Sequence, residues 1–344
     1  MRKLWIVPIE PIETRYSAHW YTHVFDAIDE NVNNFEVQQI QSQLVVPENT
    51  PGAFFNFEFT TRYKNDQMQI IAQFFDEVND GDVFLFMDYW NPCVIQLKYM
   101  AAMAKKKIKV VGVCHAGLWD PADLLTQHFG KDDFGHSTEA ALWDCFDHLI
   151  FATEFSARLY ADYMIGSREI NRDKFAVTGF PMEYIEKIAP IDRSIEKQNI
   201  VLFPHRNAPE KHPELFDYLS KMLPQYTFIK TLDVCKTKDE YHYLMAKAKV
   251  CISFADQETL GISMGQESLH FGCYPLVPEK LSYAEIFKDS EFLYPSDHPL
   301  RDIANRVVNA IENFESHKEA IERQRIANQY YFSGKRFYEF LNSL

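Results

Sequence analysis

The 344-residue chain is 47% hydrophobic and 24% charged, with a formal net charge of −14, so it carries apolar matter for a sizeable core and length for two ordinary domains. With modest Gly and Pro and no internal repeat, it is not a disordered, collagen-like, mucin-like or prion-like chain. The acidic total weighs against a protein that coats nucleic acid through its phosphates, which needs clustered cations, but leaves room for a local basic groove.

The chain opens Met1-Arg-Lys-Leu-Trp-Ile-Val-Pro, an apolar run too short for a signal h-region and without a small-residue cleavage site, so it reads as a first strand. No apolar run approaches membrane-spanning length, and a cytoplasmic protein with no membrane partner is expected. Short β-branched or aromatic runs predict strands at 4–9, 35–41, 82–88, 108–115, 148–153 and 175–179, with helical patterns between them, notably 65–78, 92–104 and 155–165. That alternation predicts a doubly wound α/β domain over residues 1–189.

The polar stretch 190–199 predicts a linker, and a second alternation follows over residues 200–315 with strands at 200–203, 226–231, 250–254, 274–277 and 292–294. Thr237-Lys-Asp-Glu240 has capping-box spacing and predicts the start of a helix running to Lys249, while Gly272 predicts a helix stop. Residues 316–344 are helical in pattern with no strand after them, free to pack back on the first domain. Cys93, Cys114, Cys145, Cys235, Cys251 and Cys273 form no CxxC pair and read as buried thiols in a reducing compartment. The basic concentrations, Lys105-Lys106-Lys107 with Lys109 and the set Arg158, Arg168, Arg172 and Lys174, are most simply solvated surface. Two such domains leave a cleft at their strand ends, the default ligand site.

The most informative stretch is Glu258-Thr-Leu-Gly261-Ile262-Ser263-Met-Gly-Gln-Glu267 and its continuation through Gly272-Cys-Tyr-Pro275. It follows a strand, turns on glycines into a helix and carries a carboxylate on each side of the turn. A helix start of this kind offers N–H groups and positive dipole to a diphosphate. Glu267 could accept hydrogen bonds from a ribose and Glu258 faces the sugar end; the bland alternative is two glutamates on a solvated face.

This stretch, with Leu281-Ser-Tyr-Ala-Glu285-Ile-Phe and Phe292-Leu-Tyr294-Pro, resembles the retaining GT-B glycosyltransferases with a paired-glutamate E-x7-E motif, and most closely the branch that includes the tRNA-queuosine mannosyltransferase. The chain departs from the motif by one residue, with eight between Glu258 and Glu267. A second match is Phe203-Pro-His205-Arg206-Asn-Ala-Pro-Glu-Lys211. The resemblance implies a GT-B fold of two doubly wound Rossmann-like domains facing across a cleft, and a nucleotide-diphosphate sugar, UDP or GDP, as co-substrate with no metal or other cofactor. It implies a donor site of His205, Arg206, Lys211, Gly261, Ile262, Ser263 and Glu267. Arg206 and Lys211 suit the charge on a departing diphosphate, as a bidentate fork and a point charge.

In the first half, His115 opens the strand-end turn Val113-Cys-His115-Ala-Gly117-Leu-Trp119-Asp120-Pro, and the resemblance implies that it points beside the transferred sugar, making it and Glu258 the catalytic candidates. The loop 8–20, with Arg15, Tyr16 and Trp20, and the loop after the third strand, with Asp88 and Trp90, are rich in aromatic and hydrogen-bonding groups. With Trp119 and Asp120 they form the expected acceptor site; as fold-stabilising caps they would serve equally well. These loops also resemble proteins of T4-like bacteriophages, which implies a host-cytoplasmic enzyme acting on a hydroxymethylated pyrimidine, such as 5-hydroxymethylcytosine, in phage DNA. The alternatives are a GT-B transferase acting on tRNA or a carbohydrate, and a non-catalytic nucleotide-sugar-binding protein.

Overall fold

The structure, a computed structural model, describes residues 1–12, 15–44, 56–129, 133–165, 168–192 and 194–344. Residues 13–14 of the first loop and residue 193 of the expected linker lie outside the described residues. The chain separates into two compact units, residues 1–179 with 334–344, and residues 180–333.

The first unit holds a six-stranded parallel sheet: β1 (Lys3–Val7), β2 (Glu36–Gln39), β3 (Val83–Phe86), β4 (Lys109–Val113), β5 (His148–Phe151) and β6 (Phe175–Val177) in the order β2-β1-β3-β4-β5-β6. β3 is buried at all four positions and β4 at all but its first, as expected of parallel strands covered on both faces. Helices α1 (Phe57–Phe74), α2 (Cys93–Met103), α3 (Asp133–Cys145) and α4 (Glu154–Met164) surround it. Asn56 caps α1 by accepting from the Phe59 N–H, and Thr153 caps α4 by accepting from that of Ser156. α1 starts well before residue 65 because its buried face, Tyr63, Lys64, Gln67, Met68 and Ile71, includes two polar residues that interrupt the apolar period.

The second unit holds β7 (Gln198–Phe203), β8 (Thr227–Lys230), β9 (Ala248–Ile252), β10 (Tyr274–Pro278) and β11 (Leu293–Tyr294), parallel and ordered β11-β10-β9-β7-β8. Its longer helices are α5 (Pro213–Met222), α6 (Lys238–Lys247), α7 (Leu300–Glu312) and α8 (Phe314–Phe332). The capping box is formed, with Thr237 accepting from the Glu240 N–H and Glu240 returning to the Thr237 N–H. Each sheet reverses direction once, between β1 and β3 in the first unit and between β7 and β9 in the second. Ligands of open α/β sheets bind beyond the carboxyl ends of strands at such switch points.

The last helix, α9 (Lys335–Ser343), belongs to the first unit. The Leu344 carbonyl accepts from Arg2 at 3.1 Å and from Lys109 at 2.7 Å, and Phe337 and Leu341 are fully buried. Residues 316–333 stay with the second unit.

Candidate functional site

Beyond the β1/β3 switch point, the loops after β1, β3 and β4 enclose a recess lined by Glu10, Ile12, Arg15, Tyr16, Asp88, Trp90, His115 and Leu125 among others. At its base lies a buried ion cluster. The Lys64 ammonium donates to Asp88 Oδ2 at 3.1 Å and to the Trp90 carbonyl at 2.5 Å, and stands 3.8 Å from Glu10 Oε1. Burial pushes the Glu10 pKa up against the attraction of Lys64. Burial works to lower that of Lys64, but the two carboxylates outweigh it and hold it above the usual value.

His115 stands immediately after β4. Its Nε2 lies 2.5 Å from the Met87 carbonyl, which can only accept, so Nε2 carries the proton; Nδ1, 2.8 Å from the Tyr16 hydroxyl, then accepts in the neutral ring. Burial lowers its pKa and keeps it neutral. The Tyr16 ring stacks parallel to the imidazole at 5.7 Å, and Trp20 meets it edge-on at 5.1 Å. Both ring nitrogens are thus engaged, and a sugar hydroxyl would reach Nδ1 only by displacing Tyr16.

The structure brings Arg15, Tyr16, Asp88, Trp90 and His115 together on the recess wall, but not Trp20, Trp119 or Asp120. Trp20 is 1% exposed and backs the His115 ring. Trp119, also 1% exposed, donates from its indole N–H to the Tyr89 hydroxyl at 2.8 Å. It is a core residue under the loop, because a large ring flanking Gly117 buries more apolar surface there than it could in a solvated wall. Asp120 accepts from the Ala122 N–H at 3.0 Å and shapes the turn.

The local basic groove that the acidic total left room for is not supplied here by Lys105, Lys106, Lys107 and Lys109. Lys105, Lys106 and Lys107 precede β4 and Lys109 opens it, while His115 follows it, so the strand lies between them and the recess. Lys106 is spent on the carbonyls of Phe75 and Asp76, and Lys109 on that of Leu344. Arg172 and Lys174 likewise precede β6, and Arg168 is paired with Asp144 at 2.8 Å.

Two buried acids with positional roles, Glu10 and Glu139, escaped the sequence reading, together with Lys64. Glu139, on α3, accepts from the Tyr89 hydroxyl at 2.8 Å and the Leu118 N–H at 3.0 Å, tying the His115-bearing loop to the core. Burial pushes its pKa up to about 8. The signal for Lys64 and Glu139 was a charged residue in register with apolar neighbours, Tyr63, Met68 and Ile71 or Ala140, Leu142 and Trp143.

In the second unit, the loops after β7 and β9 carry the expected donor residues to the β7/β9 switch point. Arg206 is paired with Glu210, at 2.9 Å from Nε and 2.5 Å from Nη2. The buried Lys211 ammonium donates to the Gln257 carbonyl, to Gln257 Oε1 at 3.1 Å and to Glu258 Oε2 at 3.5 Å. Glu258 Oε1 accepts from the N–H groups of Gly261 at 2.9 Å and Leu260 at 3.2 Å. Burial would raise its pKa, yet Lys211 and these N–H groups outweigh that and hold it below the usual value.

Gly261 enters the next turn at φ +69°, where an added Cβ would meet Ile286 Cδ1 at 2.5 Å, so both conformation and space require glycine. The helical segment 262–270 follows, beginning with Ile262 and Ser263. Asn328 of α8 braces it by donating to the Gly265 carbonyl at 2.7 Å. Glu267 is buried and already engaged, accepting from the Tyr241 hydroxyl at 2.7 Å and from Lys238 at 3.4 Å. Burial would raise its pKa; Lys238 and Tyr241 outweigh this and lower it. Glu267 is thus buried, with a partner at each carboxylate oxygen.

His205 is buried against Phe203, and its Nε2 has no hydrogen-bond partner. Burial, with Lys211 and Arg206 nearby, pushes its pKa down to about 3, so it stays neutral. A buried imidazole nitrogen without a partner can turn an N–H to a ligand's oxygen.

Two parallel-sheet, Rossmann-like units are the elements of the GT-B fold of glycosyltransferases, and solved structures of that class match the whole chain. Starch synthase IV from Arabidopsis thaliana matches with TM-score 0.67 at 10% identity, covering 100% of this chain and 99% of its own. Sucrose-phosphate synthase from Thermosynechococcus elongatus matches with TM-score 0.64 at 10% identity, covering 100% and 98%. HepE of Anabaena, solved with UDP and glucose, matches with TM-score 0.63 at 14% identity over 100% of both chains. At these identities the likeness establishes the fold. In sequence, 121 residues are 26% identical to the tRNA-queuosine alpha-mannosyltransferase of Drosophila melanogaster, a match spanning 35% of this chain and 28% of that protein. No family model matches the chain. Among the described residues, no helix is long and apolar enough to cross a membrane.

Proposed function

We propose that this chain is a metal-independent, retaining glycosyltransferase that moves a sugar from a nucleotide-diphosphate donor to a hydroxyl group. The observation that carries the reading is the convergence of Arg206, Lys211, His205 and Glu258 on the loops after β7 and β9, at the switch point of the second sheet. Departure of a nucleoside diphosphate needs cations aimed at its oxygens. Arg206 exchanges Glu210 for the diphosphate, and the neutral His205, protonated at Nε2, donates that N–H to it. Lys211 keeps its place on the Gln257–Glu258 turn and adds a fixed positive charge. Glu267 accepts from the ribose at Oε1, where the ribose hydroxyl takes the place of the Lys238 ammonium 3.4 Å away. Glu258 faces the transferred sugar, and the leaving phosphate oxygen takes the acceptor proton, so no side-chain base is required.

The acceptor we favour is a hydroxymethylated pyrimidine in DNA, on the resemblance of the first unit's loops to phage proteins. The partial likeness to the queuosine enzyme supports a second reading, tRNA as acceptor. Mass spectrometry of hydroxymethylated DNA and of tRNA after incubation with a panel of UDP- and GDP-sugars tests both. A hexose added to DNA carrying the hydroxymethyl group, and none added to unmodified DNA, is the expected result. Addition to tRNA alone moves the acceptor to the second reading, and no addition to either with every donor contradicts both acceptor assignments.

A further inference from the structure

The polar arithmetic at the base of the first unit's recess is uneven. Lys64 gives one hydrogen bond to Asp88 and one to the Trp90 carbonyl, while Glu10 Oε1 stands at 3.8 Å, beyond hydrogen-bond reach. Glu10 is 1% exposed, and its Oε1 has no hydrogen-bond partner. A buried carboxylate oxygen without a donor carries a desolvation cost that a ligand's O–H would remove. Around it the wall is largely apolar or aromatic, with Ile9, Ile12, Tyr16, Trp90 and Leu125.

We propose that this recess takes an uncharged group whose hydroxyl donates to Glu10 Oε1, and that it turns away phosphate esters. Lys64 cannot turn to a phosphate without abandoning two buried carboxylates, a loss that a buried ion cluster tolerates poorly. His115 is neutral and brings no charge to the wall. Against Arg15 and Lys64 stand three lining carboxylates, Glu10, Asp88 and Asp123, and the negative excess repels a dianion. The hydroxyl belongs to the acceptor or to the transferred sugar, an assignment of source that rests on the transferase reading.

The test is saturation-transfer NMR on the full chain with 5-hydroxymethyl-2′-deoxycytidine, methyl glucopyranoside and glucose 6-phosphate, beside a calorimetric titration with UDP. At least one neutral probe should bind saturably, and glucose 6-phosphate at least about tenfold more weakly. Binding of the nucleoside alone makes the acceptor the source of the hydroxyl; binding of the glucoside alone makes it the sugar. Glu10→Ala should weaken the neutral probe about tenfold or more, the share of a hydrogen bond to a charged group. Ala116→Leu, at a half-buried wall position, should block it by filling space. Retained UDP affinity in both variants reports an intact second unit. The proposal is overturned if neither neutral probe binds, if the phosphate ester binds as tightly as the neutral ones, or if both variants leave binding unchanged. Failure of the wild-type chain to bind UDP contradicts the transferase reading and leaves the result at the recess standing.

Discussion

Each switch-point site buries a lysine, Lys64 in the first unit and Lys211 in the second, against a carboxylate and a backbone carbonyl, but the second also carries a cation held in the opposite way, Arg206. In the first unit Lys64 is buried and shared between two carboxylates and a carbonyl, so its charge is consumed within the protein. In the second, Arg206 is 29% exposed and paired with its neighbour four residues on, an arrangement a stronger anion can replace. The contrast teaches that a cation at a strand end is informative only with its burial and partners. A buried, satisfied one builds the wall of a site, and a half-exposed one is available to a ligand.

Breaking the buried cluster should have the largest effect. Lys64→Met leaves Glu10 and Asp88 without their counterion and should cost about 3–5 kcal/mol of stability, read by urea unfolding. A cost below about 1 kcal/mol would remove the distinction between the buried and the exchangeable cation.

The loop tie at Glu139 sharpens the comparison through pH. Its folded pKa of about 8 lies above the 4.5 of an ordinary glutamate, so the native state binds this proton more tightly than the unfolded chain does. The stabilisation is complete below about pH 4.5 and is lost as pH rises through about 8. Glu139→Gln should flatten the fall in unfolding midpoint between pH 6 and pH 9, and an unchanged slope would place the titration elsewhere.

A smaller loss is expected in the second unit from Gly261→Ala, on the order of 1–2 kcal/mol from positive φ, with weakened donor affinity because the turn that positions Glu258 must shift. Thermal unfolding and titration with the nucleoside diphosphate measure both, and an unaffected protein would mean that Ile286 yields freely. The smallest expected effect is none: chelators should leave transfer unchanged, since the charges proposed for the diphosphate are Arg206 and Lys211. Activity lost in EDTA and restored by magnesium or manganese would overturn that.

The strand pattern was legible because parallel strands buried on both faces leave continuous apolar runs, as at 83–86 and 250–252. The capping box at Thr237 was legible because two side chains three residues apart satisfy each other's backbone without help from the rest of the fold. The gathering of Arg206, Lys211 and Glu258 was also visible, each lying a few residues past a recognisable strand. What stayed hidden depends on contacts between distant segments. Lys64 reads as an ordinary helix lysine until the loops after β1 and β3 close over it. Trp119 reads as a ligand platform until the Tyr89 hydroxyl is found under its indole N–H. Glu267 reads as a ribose ligand until Tyr241 and Lys238 are found at its oxygens. Sequence spacing fixes which strand end a residue occupies, but not whether its side chain is already satisfied there.

The central claim, that the β7/β9 switch point of the second unit binds a nucleotide diphosphate through an exchangeable arginine, is tested most directly by calorimetric titration of wild-type and Arg206→Ala protein with UDP and GDP. One nucleotide should bind the wild-type chain, and the variant should lose about 10- to 100-fold in affinity, the scale of a bidentate charged hydrogen bond, while losing about 1–3 kcal/mol of stability because Glu210, 4% exposed, is left without its counterion. Equal affinity in the two proteins, or no binding of either nucleotide to the wild-type chain, would contradict it.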